Sequence, residues 1–545
     1  MRHITPPVRV VKPLIHNVVS RLCTPVATAP VFFLLLFFLF CGLDSYSLAQ
    51  SGFFPLVVVS SGFLFCYLLV LPCLFLPFFV RRIYKALLLI IGVLYFVINF
   101  GILYLYRTTF NHGREIRDML AAILATNPSE AVEYLTTYIT TEIIVYVLFA
   151  IALLLIVFYA LNRVSLKIKV VPRALLFIFL LFSLTVSVCK YKQVLELNTL
   201  WLLSYHVPNL NEYKQNPIVD TKGDLPDNIV MILGESFSKS HSSLYGYDKS
   251  TNPKLEAMMA DSVLKVYSNT SSYATHTIPC IKSIMTSYTD EYADNINWYE
   301  YLTLIEIIHN AGYTTHWVSN QSKRGLYDNE VGRYAELCDV GLFVGDQNAG
   351  MSRKNYDEEL FPLIDSLLIN NGNNIKKKFF IIQLMGSHSA FKERYPSIFS
   401  KFATDDYTAT HPQLSLENRQ LLAEYDNSIL YNDSVVYEIM QRFSDKEAIV
   451  FYFSDHGIDV FQSSNDYIGH AVAGNKESEF YGRQIPFMVY TTEKFKEKYP
   501  HIEEHMWQVV DTPYRTDSIM YTIIDVAGVE TVNGLSYKEK SLFKW

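Results

Sequence analysis

Five long hydrophobic segments in residues 1–190 restrict the fold more than any other feature of the sequence. Each has, or nearly has, the ~20 apolar residues that a helix needs to cross a hydrocarbon core of ~30 Å. They lie at 24–43, 54–79, 86–106, 143–161 and 174–190. The first lacks a clear small-residue cleavage site, and further spans follow it, so we do not interpret it as a cleaved signal peptide. The sequence therefore predicts a five-span α-helical membrane domain over 1–190.

The distribution of positive residues predicts the orientation of these spans, because loops rich in Lys and Arg stay in the cytoplasm. Such residues lie before span one, between spans two and three, and between spans four and five, whereas 44–53 has none. The amino terminus is therefore expected in the cytoplasm. Five spans then place the carboxyl-terminal part across the membrane, which in a bacterium means a multi-pass inner-membrane protein with a periplasmic domain.

Two polar regions accompany the spans. Residues 107–142 have the pattern of an amphipathic helical segment, which could lie along the outer membrane surface beside a lipid or form an ordinary solvent-facing helical loop. Residues 191–226 end in "NPIVDTKGDLPDN", a Pro/Gly/Asp-rich sequence typical of a linker. The soluble domain is accordingly expected over 227–545.

Short apolar runs alternate with helical patterns in the soluble part. The runs are "NIVMILGES", "YTTHWVSN", "KKFFIIQLMGSHS", "AIVFYFSDHG" and "IPFMVYTT". Strands that alternate with helices of ten to fifteen residues indicate βα units. We therefore predict an α/β fold with a mainly parallel sheet sandwiched by helices.

Charge and cysteine content argue against a nucleic-acid-binding protein and against a fold held together by disulfides. The net charge is −7 and no basic stripe is present, which argues against nucleic acid as a partner. Five of the seven cysteines lie in or near the spans, which leaves Cys280 and Cys338 outside them. Two cysteines make no disulfide framework. The two could pair with each other, but we favour the interpretation that both are small buried residues.

Metal-competent or acid/base residues follow three of the predicted strands. Glu235 follows "IVMILG", His388 follows "FFIIQLMGS", and Asp455 with His456 follows "IVFYFS"; His470 lies a short loop further on. Carboxyl ends of strands meet at one edge of an open sheet, so these side chains can share one site. Two carboxylates and an imidazole suit zinc, with a fourth position left for a hydroxyl or a substrate oxygen.

The segment "SNTSSYATHTIPCIKSIMTS" supplies candidate nucleophiles. A hydroxyl followed by Pro and an apolar periodic run is typical of a helix start, where the dipole and free N–H groups favour an anion. A hydroxyl bound to zinc loses its proton more readily and can attack phosphorus. Thr277, two residues before Pro279, fits best, and Thr275 and Ser272 are the alternatives.

The chain resembles the membrane-anchored phosphoethanolamine transferases of the alkaline-phosphatase/sulfatase superfamily, which include lipid A modifiers and the mobile colistin-resistance enzymes. The resemblance covers nearly the whole chain. It includes the five spans and the motifs "ILGESFSKSHSSLYGYDKSTNP", "YSNTSSYATHTIPCIKSIMTS", "WVSNQSKRG", "QLMGSHSAFKERYP", "YDNSILYNDSVV" and "YFSDHG…GHAVAG". It implies an alkaline-phosphatase/sulfatase-like fold for the soluble domain.

The resemblance also implies roles for individual residues. Glu235, Thr277, Asp455 and His456 match positions that hold a catalytic Zn²⁺, with Thr277 as the nucleophile, and His388 and His470 match histidines that hold the phosphoryl group, a second metal or the leaving group. Asn320, Gln321 and Lys323 match positions that bind the phosphoethanolamine head, with Arg324 as an alternative.

The implied reaction takes phosphoethanolamine from phosphatidylethanolamine through a phosphoethanolamine-threonine to lipid A, a lipopolysaccharide core sugar or phosphate, or another cell-surface glycan. The known lipid A enzymes brace this domain with cysteine pairs, whereas Tyr273 stands near one such position here, which leaves the acceptor open. A glycerol-phosphate transferase and a phosphodiesterase or sulfatase are the alternatives within the superfamily. A non-catalytic membrane sensor or a transporter is the alternative outside it.

Overall fold

A computed structural model of the chain describes Leu148 and residues 209–222, 225–288, 297–323, 330–344, 356–369, 377–470, 475–532 and 538–543. Apart from Leu148, the predicted spans and the segment 107–142 lie outside these residues. None of the helices within the described ranges has both the length and the hydropathy to cross a membrane.

A seven-stranded sheet forms the centre of the soluble part. In chain order its strands are β1 (Asn228–Gly234), β2 (Leu264–Val266), β3 (Thr314–Ser319), β4 (Val340–Phe343), β5 (Lys378–Gln383), β6 (Ala448–Ser454) and β7 (Phe487–Thr491). Their order across the sheet is β2-β7-β6-β1-β5-β3-β4. The five apolar runs of the sequence supply β1, β3, β5, β6 and β7, and the two short edge strands β2 and β4 were not predicted.

The sheet is mixed but mainly parallel, as predicted. Strands β6, β1, β5, β3 and β4 are parallel neighbours, whereas β7 runs antiparallel to both β6 and β2. The connection from β6 to β7 explains this direction, since Gly457, just after β6, donates its N–H to the carbonyl of Gly482, just before β7. The chain therefore enters β7 at the edge where β6 ends and runs back beside it.

Alternate residues of the central strands belong to two different hydrophobic cores. Ile229 and Met231 of β1 contact one core, and Val230 and Ile232 contact the other. All seven residues of β6 are buried. A sheet covered on both faces needs strands without polar alternation, which is why these runs are continuously apolar.

Helices cover both faces of the sheet. The described helices are α1 (Pro253–Ala260), α2 (Thr277–Met285), α3 (Leu304–Asn310), α4 (Glu330–Ala335), α5 (Phe361–Leu368), α6 (Leu416–Arg442), α7 (Lys476–Arg483), α8 (Glu493–Lys498), α9 (Pro500–Gln508) and α10 (Ile519–Val526). Buried residues of α2, α3 and α10 belong to the first core, and those of α1, α5 and α6 belong to the second. The layers are those of a sheet sandwiched by helices, as predicted.

The long helix α6 holds loops at the carboxyl edge of the sheet. The hydroxyl of Tyr425 donates to the carbonyl of Ser236 at 2.9 Å and accepts the N–H of Ser238 at 2.8 Å. One turn along, the hydroxyl of Ser428 donates to that of Ser387 at 2.9 Å. The motif "YDNSILYND" therefore fixes loops that follow β1 and β5 with side chains from one rigid element.

Asp426 of the same helix is the centre of a buried group that we call the aspartate–tyrosine cluster. Its carboxylate accepts hydrogen bonds from His241 Nδ1 at 2.8 Å, from the hydroxyl of Tyr247 at 2.7 Å and from that of Tyr407 at 2.5 Å. The amide of Gln462 lies 2.7 Å from His241 Nε2. Both ring nitrogens and both carboxylate oxygens are thus engaged, as the burial of polar groups requires.

Part of the predicted linker packs against the soluble domain. Residues Val219–Thr221 form a short strand that pairs antiparallel with Val529–Val532 near the end of the chain. Leu210 and Leu225 are buried in the first core. The boundary at 226/227 stays a prediction, but the described residues on its amino-terminal side already contribute to the domain.

Cys280 and Cys338 are free, which confirms that they are not paired. Cys280 is fully buried on α2, and its thiol donates to the carbonyl of Ala274 at 3.3 Å. Burial raises the pKa of both thiols well above the usual range. They act as small apolar residues rather than as reactive thiols.

Candidate active site

Two neighbouring parallel strands end at the same point of the sheet edge. β1 leads directly into Glu235, and β6 leads into Asp455 and His456, because Gly234 and Ser454 are paired in the sheet register. Ligand atoms of Glu235, Asp455 and His456 all lie within 4.8 Å of one another, and all three residues are buried. We call these three residues the acid–histidine cluster.

The backbone around the cluster fixes the orientation of its side chains. Ser236 has a φ of 55°, a left-handed conformation that is uncommon outside glycine and marks a strained turn. Asp455 Oδ1 accepts the N–H groups of Ser236 at 3.3 Å and His456 at 2.7 Å. His456 Nδ1 donates to the carbonyl of Gly457 at 2.8 Å. In a neutral ring, this bond leaves the lone pair of Nε2 facing the cluster.

Thr277 places its hydroxyl beside this cluster. It is the first residue of α2, and its Oγ1 lies 3.3 Å from Glu235 Oε2 and 3.2 Å from His456 Nε2. The unpaired N–H groups of the first helical turn give this end of α2 a partial positive charge. The hydroxyl therefore lies where a negative oxygen would be stabilised.

The two alternative nucleophiles have other partners. Thr275 Oγ1 lies 2.9 Å from His276 Nδ1, and the hydroxyl of Ser272 donates to the carbonyl of Ala274 at 2.6 Å. Of the three candidates, Thr277 is the one whose hydrogen bonds reach the acid–histidine cluster.

The electrostatics of the cluster favour a positive charge at its centre. Burial and the charge of Glu235 raise the pKa of Asp455. Burial opposes the ionisation of Glu235 as well, but its hydrogen bond with His456 and the charge of that ring lower its pKa. Burial lowers the pKa of His456, but the two carboxylates outweigh it and raise this pKa to about 9. Two carboxylates thus compete for one cation, which can be a proton or a metal ion.

One atom of the cluster shows that these residues fit a metal. Asp455 Oδ2 is buried, and among the described residues it has no hydrogen-bond partner. Glu235 Oε1 and Asp455 Oδ2 both face His456 Nε2, at 3.3 and 3.5 Å. Two carboxylate oxygens and an imidazole nitrogen that face one another form a donor set suited to zinc, and the Thr277 hydroxyl adds a fourth oxygen.

Gln321 is the residue of the predicted head-binding segment that reaches this cluster. Its Nε2 donates to Glu235 Oε2 at 3.3 Å and to the carbonyl of Leu384 at 3.0 Å. Gln383 Nε2 in turn donates to Gln321 Oε1 at 3.0 Å. The amide of Gln321 is thereby held against Glu235 from two sides.

The other two predicted head-binding residues, Asn320 and Lys323, lie on either side of Gln321 in the same loop. Asn320 is buried and donates its amide to Asp357 Oδ1 at 2.8 Å. Lys323 is partly exposed, and its Nζ lies 3.3 Å from Glu336 Oε1. Arg324, the alternative to these residues, lies outside the described residues.

Three further histidines surround the cluster. The ring of His470 contacts His456 edge to face at 4.8 Å and stacks on His276 at 4.7 Å. His470 Nδ1 donates to the carbonyl of Thr275 at 3.1 Å. His388 lies in the turn after β5, and its charge contributes to the low pKa of Glu235. The side chains of several predicted residues thus meet at one edge of the sheet.

Sequence reasoning missed two residues of this region. His276 precedes Thr277 directly, so its place in the "THTIPC" segment was a usable signal, but it lies outside the strand-end pattern. Asp357 begins a short 3₁₀ turn and contacts Asn320 and the loop after β5. No local sequence pattern distinguishes a single acidic residue whose contacts lie in distant parts of the chain.

Comparison with known proteins identifies the family. The profile of the sulfatase family matches residues 227–529, which is more than half of the chain. The chain belongs to the sulfatase family of enzymes. Most of the described α/β domain lies in that part of the chain.

Relatives extend the similarity beyond the soluble domain. The chain is 27% identical over 543 residues to phosphoethanolamine transferase EptC of Escherichia coli (strain K12), covering 91% of this chain and 88% of that protein. A crystal structure of the C-terminal periplasmic domain of E. coli EptC in complex with Zn is similar with a TM-score of 0.54, 26% identity and coverage of 61% of this chain and 90% of that one.

A full-length structure also matches. The integral membrane protein lipooligosaccharide phosphoethanolamine transferase A (EptA) from Neisseria meningitidis has a TM-score of 0.59 and 18% identity, with 98% of each chain covered. At this identity the likeness concerns the fold alone. Together these comparisons confirm the resemblance to phosphoethanolamine transferases.

Proposed function

We propose that this enzyme transfers phosphoethanolamine from phosphatidylethanolamine to an acceptor on the outer cell surface, with Thr277 as the nucleophile. The observation that carries the proposal is the position of Thr277 Oγ1, within 3.3 Å of both Glu235 Oε2 and His456 Nε2 at the start of α2. A hydroxyl beside a base and at a helix N-terminus is the arrangement of an activated nucleophile. The similarity to phosphoethanolamine transferases supports the same substrate class.

Zinc is the metal that the cluster would hold, with Glu235, Asp455, His456 and the Thr277 oxygen as ligands. The unsatisfied Asp455 Oδ2 and the donor set support this assignment, as does the Zn complex of the E. coli EptC domain. When bound, the ion acidifies the threonine hydroxyl and offsets negative charge at the phosphate.

The first half of the reaction breaks the bond between the donor phosphorus and the diacylglycerol oxygen. The Thr277 hydroxyl gives up its proton to solvent water, and its oxygen forms the new bond to phosphorus. Diacylglycerol leaves with a proton from His388 or His470, which lie around the cluster and are the candidate acids. The free N–H groups of α2 face the negative charge that develops beside Thr277. The result is a phosphoethanolamine-threonine.

The second half of the reaction transfers phosphoethanolamine to the acceptor and regenerates the free hydroxyl of Thr277. An acceptor oxygen gives its proton to the same histidine and forms a bond to phosphorus, while the bond to Thr277 breaks and the threonine recovers its proton. Gln321 and Asn320, with Lys323 nearby, would bind the head group so that phosphorus stays in line with both oxygens. A hydroxyl or phosphate of lipid A or of the lipopolysaccharide core fits this step chemically.

A lipid donor gives the five predicted spans a purpose. If the amino-terminal region anchors the chain in the inner membrane with the catalytic domain in the periplasm, the donor in the outer leaflet is held near the site. Tethering of this kind raises the effective concentration of a membrane-bound substrate. The segment 107–142 would then lie at the same membrane surface.

Purified full-length enzyme, mixed with phosphatidylethanolamine that carries a fluorescent head group, tests the donor and the nucleophile. We expect release of diacylglycerol and a mass increase on Thr277 equal to one labelled phosphoethanolamine group. Thr277→Ala should abolish both signals, whereas Thr275→Ala, which removes a hydroxyl bonded to His276, should retain them. Retained turnover in T277A, or its loss in T275A alone, would contradict the assignment of the nucleophile.

The same assay separates the alternatives. Turnover of phosphatidylglycerol in preference to phosphatidylethanolamine would identify a glycerol-phosphate transferase, and release of the head group to water alone would identify a phosphodiesterase. Mass spectrometry of lipopolysaccharide from cells with and without the gene then tests the acceptor. Added phosphoethanolamine on lipid A or on the core is the expected result.

A further inference from the structure

Three N–H groups meet at one buried carboxylate, that of Asp357. The residue is 3% exposed and begins a 3₁₀ turn at Asp357–Leu360. Its Oδ1 accepts the side-chain amide of Asn320 and the N–H of Met385, each at 2.8 Å, and its Oδ2 accepts the N–H of Gly386 at 3.0 Å. All three donors are neutral N–H groups, and the charge of Arg394 makes a smaller contribution that lowers the pKa of this carboxyl against the effect of burial.

These donors come from two loops that lead to the candidate active site. Asn320 follows β3 and directly precedes Gln321, whose amide reaches Glu235. Met385 and Gly386 follow β5 and begin the turn that carries His388. The carboxylate of Asp357 therefore joins the candidate head-binding loop to the turn of a candidate acid–base histidine.

The turn after β5 has no room to move toward the acid–histidine cluster. Gly386 has a φ of 54°, and a Cβ there would lie 2.8 Å from the carbonyl oxygen of Glu235 and 2.9 Å from its nitrogen. The next residue, Ser387, donates its N–H to that carbonyl at 3.0 Å. Any displacement of the turn is therefore transmitted to the backbone of Glu235 and to His388.

A second buried aspartate shows what a purely structural carboxylate looks like in this domain. Asp433 on α6 accepts the N–H groups of Lys254 and Leu255, both at 3.0 Å, and so caps α1. Burial raises the pKa of Asp433 and also that of Asp357. The two carboxylates share burial and N–H donors, but the donors to Asp433 lie on α1, whereas those to Asp357 lie on loops that reach Glu235.

We propose that Asp357 is a positioning residue of the transfer reaction, which holds Asn320 and the Met385–His388 turn in register with Glu235. The inference rests on the proposed function of the site and adds a residue that touches neither the phosphate nor the metal. It acts through the groups it aligns, in the way that residues behind a catalytic shell commonly do.

The test compares Asp357→Asn with Asp433→Asn in the full-length enzyme. In D357N the remaining oxygen can still accept from Asn320 and Met385, but the new amide N–H faces the N–H of Gly386. We expect kcat to fall by roughly 10- to 100-fold with KM for phosphatidylethanolamine little changed, because the link to Asn320 persists. Asp357→Ala loses all three bonds and should raise KM as well. D433N should leave kcat and KM unchanged.

A double variant separates positioning from general damage. If Asp357 acts through the turn that carries His388, the loss of kcat caused by D357N should largely disappear in a His388→Ala background. Independent, multiplicative losses in the double variant would overturn the proposal, as would a wild-type kcat in D357N. Should D357N fail to fold, Asp357→Glu keeps the charge but displaces it by one methylene, and a wild-type kcat in that variant would equally overturn it.

Amide hydrogen exchange gives a readout that needs no substrate. We expect faster exchange over residues 384–388 in D357N than in wild type, at comparable zinc content, while D433N leaves this peptide unchanged. Equal protection in D357N and wild type would overturn the proposal. If the wild-type enzyme fails to release diacylglycerol, the proposed function is what has failed, and the exchange measurement still decides whether Asp357 holds the turn.

Discussion

The acid–histidine cluster and the aspartate–tyrosine cluster contain the same kind of residue pair but differ in how completely the carboxylate of the aspartate is hydrogen-bonded. Each places a histidine against a buried aspartate, at 3.5 Å for His456 and Asp455 and at 2.8 Å for His241 and Asp426. In the aspartate–tyrosine cluster two tyrosine hydroxyls complete the coordination of the carboxylate.

The acid–histidine cluster instead brings a second carboxylate, Glu235, to the same histidine and leaves Asp455 Oδ2 without a hydrogen-bond partner among the described residues. Residue type therefore does not distinguish a structural histidine–aspartate pair from one in a candidate metal site. The distinction lies in whether the protein itself satisfies every buried polar atom.

The largest effect should follow from Asp455→Asn. The change removes a charge and a ligand from the acid–histidine cluster, so we expect at least about a 10³-fold loss of diacylglycerol release, similar to the loss of a catalytic group elsewhere. The fold should persist, because relief of carboxylate repulsion offsets the lost contact. Circular dichroism checks the fold, and activity close to wild type would remove the distinction between the two clusters.

Removal of the metal should have the next largest effect. Dialysis against a chelator is expected to reduce transfer to background, and added Zn²⁺ should restore it, since the cluster holds two carboxylates that need a cation. Metal that binds only the folded state also raises Tm, by the equivalent of about 2.7 kcal/mol at a hundredfold excess over Kd. Full activity in metal-free protein, verified by elemental analysis, would refute the zinc assignment.

Asp426→Asn should affect stability but not chemistry. One of the three bonds to the carboxylate is lost, at a cost of about 1–3 kcal/mol for a buried donor left without its acceptor. For a domain of this size that lowers Tm by roughly 5 °C. Transfer per folded molecule should stay near the wild-type rate, and a large fall in kcat at unchanged Tm would show that this cluster is more than structural.

The smallest effect concerns pH. Burial raises the pKa of Asp433 to about 7 in the folded protein, above the ordinary aspartate value. The folded state therefore binds this proton more tightly than the unfolded state, so the stabilising contribution is present below pH ~4 and is lost as pH rises toward ~7. In denaturant unfolding across this range, the free energy of unfolding of wild type should fall relative to that of D433N as the pH rises. A constant difference would mean that Asp433 is ionised throughout.

Much of the acid–histidine cluster could be predicted because it depends on local sequence. A continuously apolar strand is recognisable from the sequence alone. The residue that follows such a strand lies at the sheet edge, and this pattern identified Glu235 and Asp455. The direction of β7 could not be predicted in this way. It depends on where the chain emerges after Gly482, and strand pattern alone does not encode direction.

Residues that act across the fold were also beyond sequence reasoning. Asp357 has no periodic pattern around it, and its partners Asn320 and Met385 are distant in the chain. The sequence favoured Thr277 over Thr275 and Ser272 from its position relative to Pro279, but its hydrogen bonds to the acid–histidine cluster are visible only in the folded structure. Physical contact between loops is a property of the folded sheet edge rather than of any one segment.

The two unpaired cysteines, Cys280 and Cys338, affect how this protein matures. A domain that is stabilised by packing without disulfides can reach its folded state without an oxidant or a disulfide-forming catalyst. The described domain should therefore fold equally well under oxidising and reducing conditions.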